Sequence, residues 1–511
     1  MCNSCLHPFR DKAVLERHIP YCLRHPPQVV KYPNPENEDE CTTKFRGYYK
    51  QHRIPFYLVC DFESFLSPVN DEELNNSRGT HVIQEHNVSG FACYRMTDDA
   101  KYQTEPVVYS GPEVMTKFYE HVMSESKVLG EIIASDEEMK PLAPEQQVEY
   151  DQATSCFCCG HEFGSKNWKV RHHCHISGNF LFAACNNCNL QLKMIPGKRK
   201  RKNEKTNSNK RRKLSTKEEA KQEFEENYFI PVVFHNLKSY DAHFVIKHFK
   251  KQYTERNNGD DKPLTYDDVH VTPLNSEKYI MFEIGKLRFI DSFQFLSTSL
   301  ENLVSILMKS GKDKFENTRK YLGDSDLVFA KGIYPYSYMS SREKFDESEL
   351  PPIESFHDML NDEPLAPVDY ERAKAIWKHF DIGNMRQYHD HYLLSDVLLL
   401  ADVFENFRNS IMAQHKLDCL YYMTLPSLSW ACALKHTDAK LDLLTDPDAY
   451  LMIENNLKGG IAMISNRHAV ANNPLVEGYD SSKPTSYITY LDANNLYGLS
   501  LIHISEPTRP Y

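Results

Sequence analysis

Residues 54–66 read IPFYLVCDFESFL, an apolar run that ends on two acids, Asp61 and Glu63. The run is too short for a buried helix and rich in residues that suit a pleated surface, so it predicts a buried strand with chemistry at its end. Side chains alternate along a strand, which puts both acids on one face. Acids at a strand end are ordinarily solvated surface, and their meaning depends on what the rest of the chain brings to them. Two other stretches supply candidates. HNLKSYDAHF, residues 235–244, offers Asn236, Tyr240 and Asp241 at a strand-to-helix junction, and YLLSD, residues 392–396, offers Tyr392 and Asp396. The last two lie one helical turn apart on the same face. Asp396 heads VLLLADVF, so its helix is strongly apolar and its carboxylate is expected near a core. Buried carboxylates need partners, and two cations would satisfy four of them. Hydrolysis of a phosphodiester by two metal ions requires such a quartet, with ions ~3.5–4 Å apart, one activating water and one stabilising the leaving oxygen.

The chain has 511 residues, 41% apolar and 12% aromatic, the composition of a globular protein of roughly two to four domains. No apolar run approaches the ~20 residues of a membrane span, and the opening MCNSCLHPFR lacks the order of a signal peptide. A soluble, intracellular protein with no membrane partner is therefore expected. The net charge of −11 conceals KRKRKNEKTNSNKRRK at 198–213, a segment too charged to bury. Strands alternate with helices along the chain, which predicts α/β architecture. Residues 26–53 read as a linker, and 450–500 as short strand-like pieces.

Nine of the fourteen cysteines fall in two clusters, a spacing that suits metal rather than disulfides. The first is Cys2-x2-Cys5, twelve residues, then His18-x3-Cys22, with Phe9 and Leu15 between. A tight turn supplies two zinc ligands, a helix supplies two more one turn apart, and the apolar pair forms the small core that the metal makes possible. The second pairs Cys156-x2-Cys159 with Cys185-x2-Cys188. Two structural Zn²⁺ sites are expected, although free cytosolic thiols fit the first pattern as well.

Between the second pair of cysteine motifs lies VRHHCHISGNF, residues 170–180. This module resembles the ββα-metal, HNH-like phage recombination endonuclease VII. The resemblance implies a general base at His173 and a metal-holding role for Asn189, but an Asp is expected where His172 stands, and imidazole is a poor ligand for Mg²⁺. A structural or DNA-docking module is the competing reading.

The order DxE, N-x3-Y-D, Y-x3-D resembles the three motifs of the proofreading 3′–5′ exonuclease of family B DNA polymerases. That resemblance implies an RNase H-like domain in which Asp61, Glu63, Asp241 and Asp396 hold two Mg²⁺ or Mn²⁺ ions. Tyr392 would position the water and Asn236 would help hold the substrate strand. STSLENL, residues 297–303, resembles the single-strand-binding element of the protein-primed members, implying that Ser299 and Leu300 contact the unpaired primer end. KGGI, at 458–461, stands where their linker motif is expected, though without its usual aromatic. YLDANNLYG, at 490–498, resembles the first palm motif, implying that Asp492 binds catalytic metal and Tyr497 gates against the ribose hydroxyl; Asn495 replaces a frequent Ser. The wording from about residue 54 to 499 is similar to polymerases of Polinton/Maverick-type mobile elements and related viruses.

The expected organisation is a C2HC finger at 1–25, linker 26–53, exonuclease segments at 54–150 and 226–450, and a zinc module at 151–195 inserted between them. A basic linker at 196–225, the start of a palm at 451–500 and an artefactual tail at 501–511 complete it. A palm needs a further pair of carboxylates, so the expectation is an N-terminal portion of a polymerase that retains exonuclease chemistry, with polymerisation confined to the intact parent. Single-stranded and primer–template DNA are the implied partners, with deoxynucleotides and a terminal priming protein for the parent. The basic run is expected to direct the chain to the nucleus or to bind phosphate; a solvated linker in a cytoplasmic protein is the alternative. A zinc-dependent DNA-binding relic without catalysis and an HNH-like endonuclease are the rival functions.

Overall fold

A computed structural model describes residues 1–5, 7–24, 26–27, 29, 31–69, 84–135, 137–192, 228–256, 269–275, 278–359, 362–457, 463, 467–489 and 491. Gly459, Gly460, the basic run 198–213, Asp492 and Tyr497 lie outside these residues. The chain divides into two units, Thr43–Leu441 and Met1–Thr42 with Asp442–Tyr511.

The larger unit is built on a seven-stranded mixed sheet. Its strands are β1 (Phe56–Pro68), β2 (Gln84–Thr97), β3 (Val107–Tyr109), β6 (Ile230–Phe234), β7 (Val269–Pro273), β8 (Tyr279–Ile284) and β9 (Leu287–Asp291), in the spatial order β3-β2-β1-β6-β9-β8-β7. The omitted numbers belong to a separate hairpin, β4 (Lys169–His173) and β5 (Phe180–Cys185). β1 runs parallel to β6, and β6 parallel to β9, while β2 and β8 are antiparallel to their neighbours. This arrangement is compatible with the RNase H-like fold expected from the motifs.

The alternation read in residues 54–66 sorts the core. Phe56, Leu58, Cys60 and Phe62 pack with α1 (Val114–Ile133) and α2 (Asp241–Arg256) on one face. Tyr57 and Val59 pack on the other face, with α3 (Leu300–Met308) and α5 (Met385–His415). α5 is 31 residues long and is buried all round from Val397 to Phe404, as its unbroken apolar text requires. A register shift between Glu63 and Ser64 leaves Ser89 of β2 as the extra residue, and its hydroxyl meets His389 Nε2 of α5 at 2.9 Å. Bulges of this kind re-aim side chains at sites of chemistry.

Three polar residues buried in this unit tie the scaffold together. Asp402 of α5 accepts the backbone N–H groups of Asn317 (3.0 Å) and Thr318 (2.9 Å) at the start of α4 (Glu316–Leu322). Asp418 accepts Arg408 Nη2 at 2.6 Å and the Ile54 N–H at 2.8 Å, and the same Nη2 reaches the Ile54 carbonyl at 2.6 Å. The beginning of β1 is thus locked to the end of α5.

Several expected boundaries move. Residues 43–53 are part of the larger unit rather than linker: Gln51 and His52 are buried, and Phe45 and Tyr49 pack against the core. The zinc module lies inside the same unit, which ends at Leu441 rather than 450. In the smaller unit, Pro447–Asn456 forms a helix where strand-like pieces were expected, because Asp446 caps it and Pro447 occupies its first position. There the Tyr32 ring meets Tyr450 edge-on at 6.1 Å, and the Leu443 N–H reaches the Cys41 carbonyl at 2.7 Å. No described helix is long and apolar enough to cross a membrane.

Burial alone would raise the Asp418 carboxyl, but Arg408 outweighs it and holds the group below the usual carboxylate range. Asp418→Ala strands the guanidinium and is expected to cost about 3–5 kcal/mol, read by urea denaturation at neutral pH. A lowered folded pKa means this contribution is complete above the unfolded value of about 4 and disappears as pH falls through the folded value. The stability gap between parent and variant should therefore shrink only in acid.

Candidate active site

Asp61 and Glu63 leave β1 on the face that α5 covers, Asp241 begins α2, and Asp396 lies a turn beyond Tyr392 in α5. The three stretches singled out in sequence converge at one end of the sheet. Glu63, Asp241 and Asp396 are 9%, 3% and 2% exposed, and Asp61 is half-buried. Each carboxyl is pushed up by burial, and Asp61, Glu63 and Asp241 by neighbouring acids as well. Asp61 rises to about 7, from burial and then the Asp396 charge. Glu63 rises from burial and then Asp61, and Asp241 from burial and then Asp61 and Glu63. Burial raises Asp396 too, against the pull of Lys331 and a hydrogen bond from Tyr392.

Lys331 is the cation the sequence reading missed. Its Nζ stands 3.6 Å from Asp396 Oδ2, and Tyr336 followed by the carboxylates Asp396, Glu63 and Asp61 holds its ammonium charged. One lysine does not answer four acids. The Oδ1 atoms of Asp241 and Asp396 are both buried without a hydrogen-bond partner among the described residues. Unanswered acceptors of this kind, beside raised carboxyls, suit hard divalent cations with oxygen ligands. The four acids do not gather three ligand oxygens within 4.8 Å of one another, a spread wider than one ion would impose.

The tyrosine one turn before Asp396 is held from two sides. Tyr392 is buried, its hydroxyl lies 2.6 Å from that of Tyr336, and its ring stacks on Tyr334 at 4.9 Å between centroids. Gly332 lies flat against the same ring, where a Cβ would collide. The loop before Asp241 hangs on Asp291, fully buried, whose carboxylate accepts the N–H groups of Asn236 (2.9 Å) and Lys238 (3.1 Å). Asn236 is thereby fixed in the left-handed region, φ 67°, with its side chain exposed beside the site. Tyr240 anchors the other end of this loop, 2.8 Å from both Ser64 Oγ and His86 Nδ1. Ser299 caps α3 by accepting the Asn302 N–H, and Leu300 is buried in the core, so both have structural work apart from any strand contact.

Both cysteine patterns close into metal-sized groups. The ligand atoms of Cys2, Cys5, His18 and Cys22 lie within 4.8 Å of one another, as do those of Cys156, Cys159, Cys185 and Cys188. Cys2 and Cys22 sulfurs are 3.7 Å apart, against about 3.8 Å for two thiolates on a tetrahedral zinc. Phe9 packs on the His18 ring at 4.7 Å, as expected for the small core of a finger. Around the second group, the β4–β5 hairpin and the helix Asn186–Gln191 give a ββα outline. Asn189 Oδ1 meets His172 Nδ1 at 2.8 Å, and His172 is buried between Phe182 and His52. His173 sits half-buried with its ring 4.7 Å from that of His175. The imidazole found where an Asp was expected is thus a neutral interior group, its pKa lowered to about 4 by burial and then by His52.

No curated protein matches the chain. A family model does: residues 220–480 match that of the DNA polymerase type B, organellar and viral. The match takes in Asp241, Asp291, Lys331, Tyr392 and Asp396 and extends over more than half of the 511 residues. With the mixed sheet and the acidic cluster at its end, it identifies the chain as a member of the organellar and viral type B DNA polymerases.

Proposed function

We propose that, within this family of DNA-directed DNA polymerases, residues 43–441 carry a 3′–5′ exonuclease that trims the primer end. The observation that carries the reading is the group of four raised carboxyls with, among the described residues, two buried, unpartnered oxygens and a single lysine. Two Mg²⁺ or Mn²⁺ ions held by Asp61, Glu63, Asp241 and Asp396 would supply an activated water and charge stabilisation for the leaving 3′ oxygen. Tyr392, clamped by Tyr336 and Gly332, presents a hydroxyl of fixed direction to orient that water. Lys331 offsets part of the negative charge before the ions bind and then faces the phosphate. Asn236 offers its amide to the strand from a loop whose conformation Asp291 dictates. Ser299 and Leu300 support the strand-binding edge by fixing the start of α3.

The two cysteine groups are assigned structural Zn²⁺, from the softness of their ligands and their tetrahedral spacing. The basic run at 198–213 is assigned nuclear delivery, with added electrostatic affinity for DNA.

With 3′-labelled single-stranded DNA and Mn²⁺, the chain is expected to shorten the strand stepwise. Asp61→Ala and Asp241→Ala should each slow this by at least ~100-fold, equivalent to about 2.7 kcal/mol of transition-state stabilisation. Undiminished shortening in both variants, or internal nicking alone, would sink the assignment. Metal analysis of the purified chain should return two zinc ions, and Cys185→Ser should return one while lowering thermal stability. A zinc content unchanged by that substitution would contradict the ligand set.

A further inference from the structure

Cys60 and Cys93 face each other across β1 and β2 as register partners, with sulfurs 3.2 Å apart and exposures of 0% and 2%. Directly opposed residues of antiparallel strands have Cα atoms about 4.5–5.5 Å apart, inside the range a disulfide spans. The sulfurs need approach by only about 1.2 Å to bond. A hydrogen bond from the Cys60 thiol, opposed by burial and assisted by His121, draws the Cys93 thiol down to about 6. His121 of α1, half-exposed, interacts with Cys93 and also favours its ionised form. A thiol whose ionised form is favoured, with a second thiol within about 1.2 Å of bonding reach, is a pair that can close. Neither cysteine belongs to a zinc group, and Cys60 immediately precedes Asp61.

We infer that Cys60 and Cys93 form a reversible thiol–disulfide couple, closed by peroxide, that switches off the centre containing Asp61. The Cys93 thiolate attacks hydrogen peroxide; the O–O bond breaks, Cys93 becomes a sulfenic acid, and hydroxide leaves as water after taking a proton. Cys60, losing its proton, then attacks the sulfenic sulfur, the S–O bond breaks, and a second water departs. Two thiols and one peroxide give one disulfide and two waters. Closing the bond pulls the two sulfurs together by about 1.2 Å and cross-links β1 to β2 at the residue beside Asp61, and displacements of about 1 Å at a reacting centre cost up to ~100-fold in rate. A dithiol reductant reverses the step by thiolate exchange.

The effect on activity rests on the exonuclease reading above, whereas the disulfide does not. The test treats the full chain with peroxide, blocks free thiols by alkylation, and maps peptides without reduction while timing the shortening of labelled single-stranded DNA. Expected are a linked peptide pair carrying Cys60 and Cys93, lighter by two hydrogens, and a loss of at least about tenfold in rate, restored by dithiothreitol. Cys93→Ser should keep its rate at the same dose. Absence of the linked pair overturns the couple even if the reduced chain degrades no DNA. A linked pair with unchanged rate, or an equal loss in Cys93→Ser, overturns the switch.

Discussion

Four carboxylates gathered where β1, α2 and the long helix α5 meet, with a single lysine among the described residues to answer them, is the arrangement from which the rest of this molecule follows. Like charges buried beside one another repel, and each acid works against the ionisation of its neighbours. Lys331, 3.6 Å from Asp396 and 32% exposed, offsets a fraction of that. In isolation such a cluster keeps its protons, as the raised carboxyls of Asp61, Glu63 and Asp241 express. Cations would let all four ionise together, so the electrostatics that disfavour the bare site favour a loaded one.

Holding acids in that state demands a rigid frame, and the structure supplies it through buried polar ties rather than through apolar packing alone. Arg408 and Asp418 fasten the first residues of β1 to the end of α5. Asp402 fastens α4 to the middle of α5, and Asp291 shapes the loop that precedes Asp241. The first joins the strand that carries Asp61 and Glu63 to the helix that carries Asp396, and the other two brace the helix of Asp396 and the loop leading into Asp241. Disturbing any of them changes the geometry of a site to which the tied residue contributes no atom.

The sequence reveals the local parts of this design and hides the long-range ones. Alternation along IPFYLVCDFESFL is enough to assign Asp61 and Glu63 to one face, and the apolar text after Asp396 is enough to bury it, because both follow from periodicity within one element. Lys331 and Tyr336 lie in FAKGIYPY, which has no period and no motif, and become neighbours of the acids only through the fold. Asp291 reads as the end of a strand, since nothing local says that its carboxylate clamps a loop 55 residues away. The same limit explains residues 43–53, read as linker although Gln51 and His52 are buried and the His52 ring meets His172 of the inserted module. The zinc ligands were legible throughout because metal geometry imposes spacing on the sequence itself.

Binding of the two ions is the centre of this account, and paramagnetic manganese reports it directly. Titrating the zinc-loaded chain with Mn²⁺ and following the electron paramagnetic resonance spectrum should give two bound ions whose signals are broadened and coupled, as expected for a pair ~3.5–4 Å apart. That coupling should vanish in Asp61→Ala. Saturation by one magnetically isolated ion, or no binding at all, would contradict it.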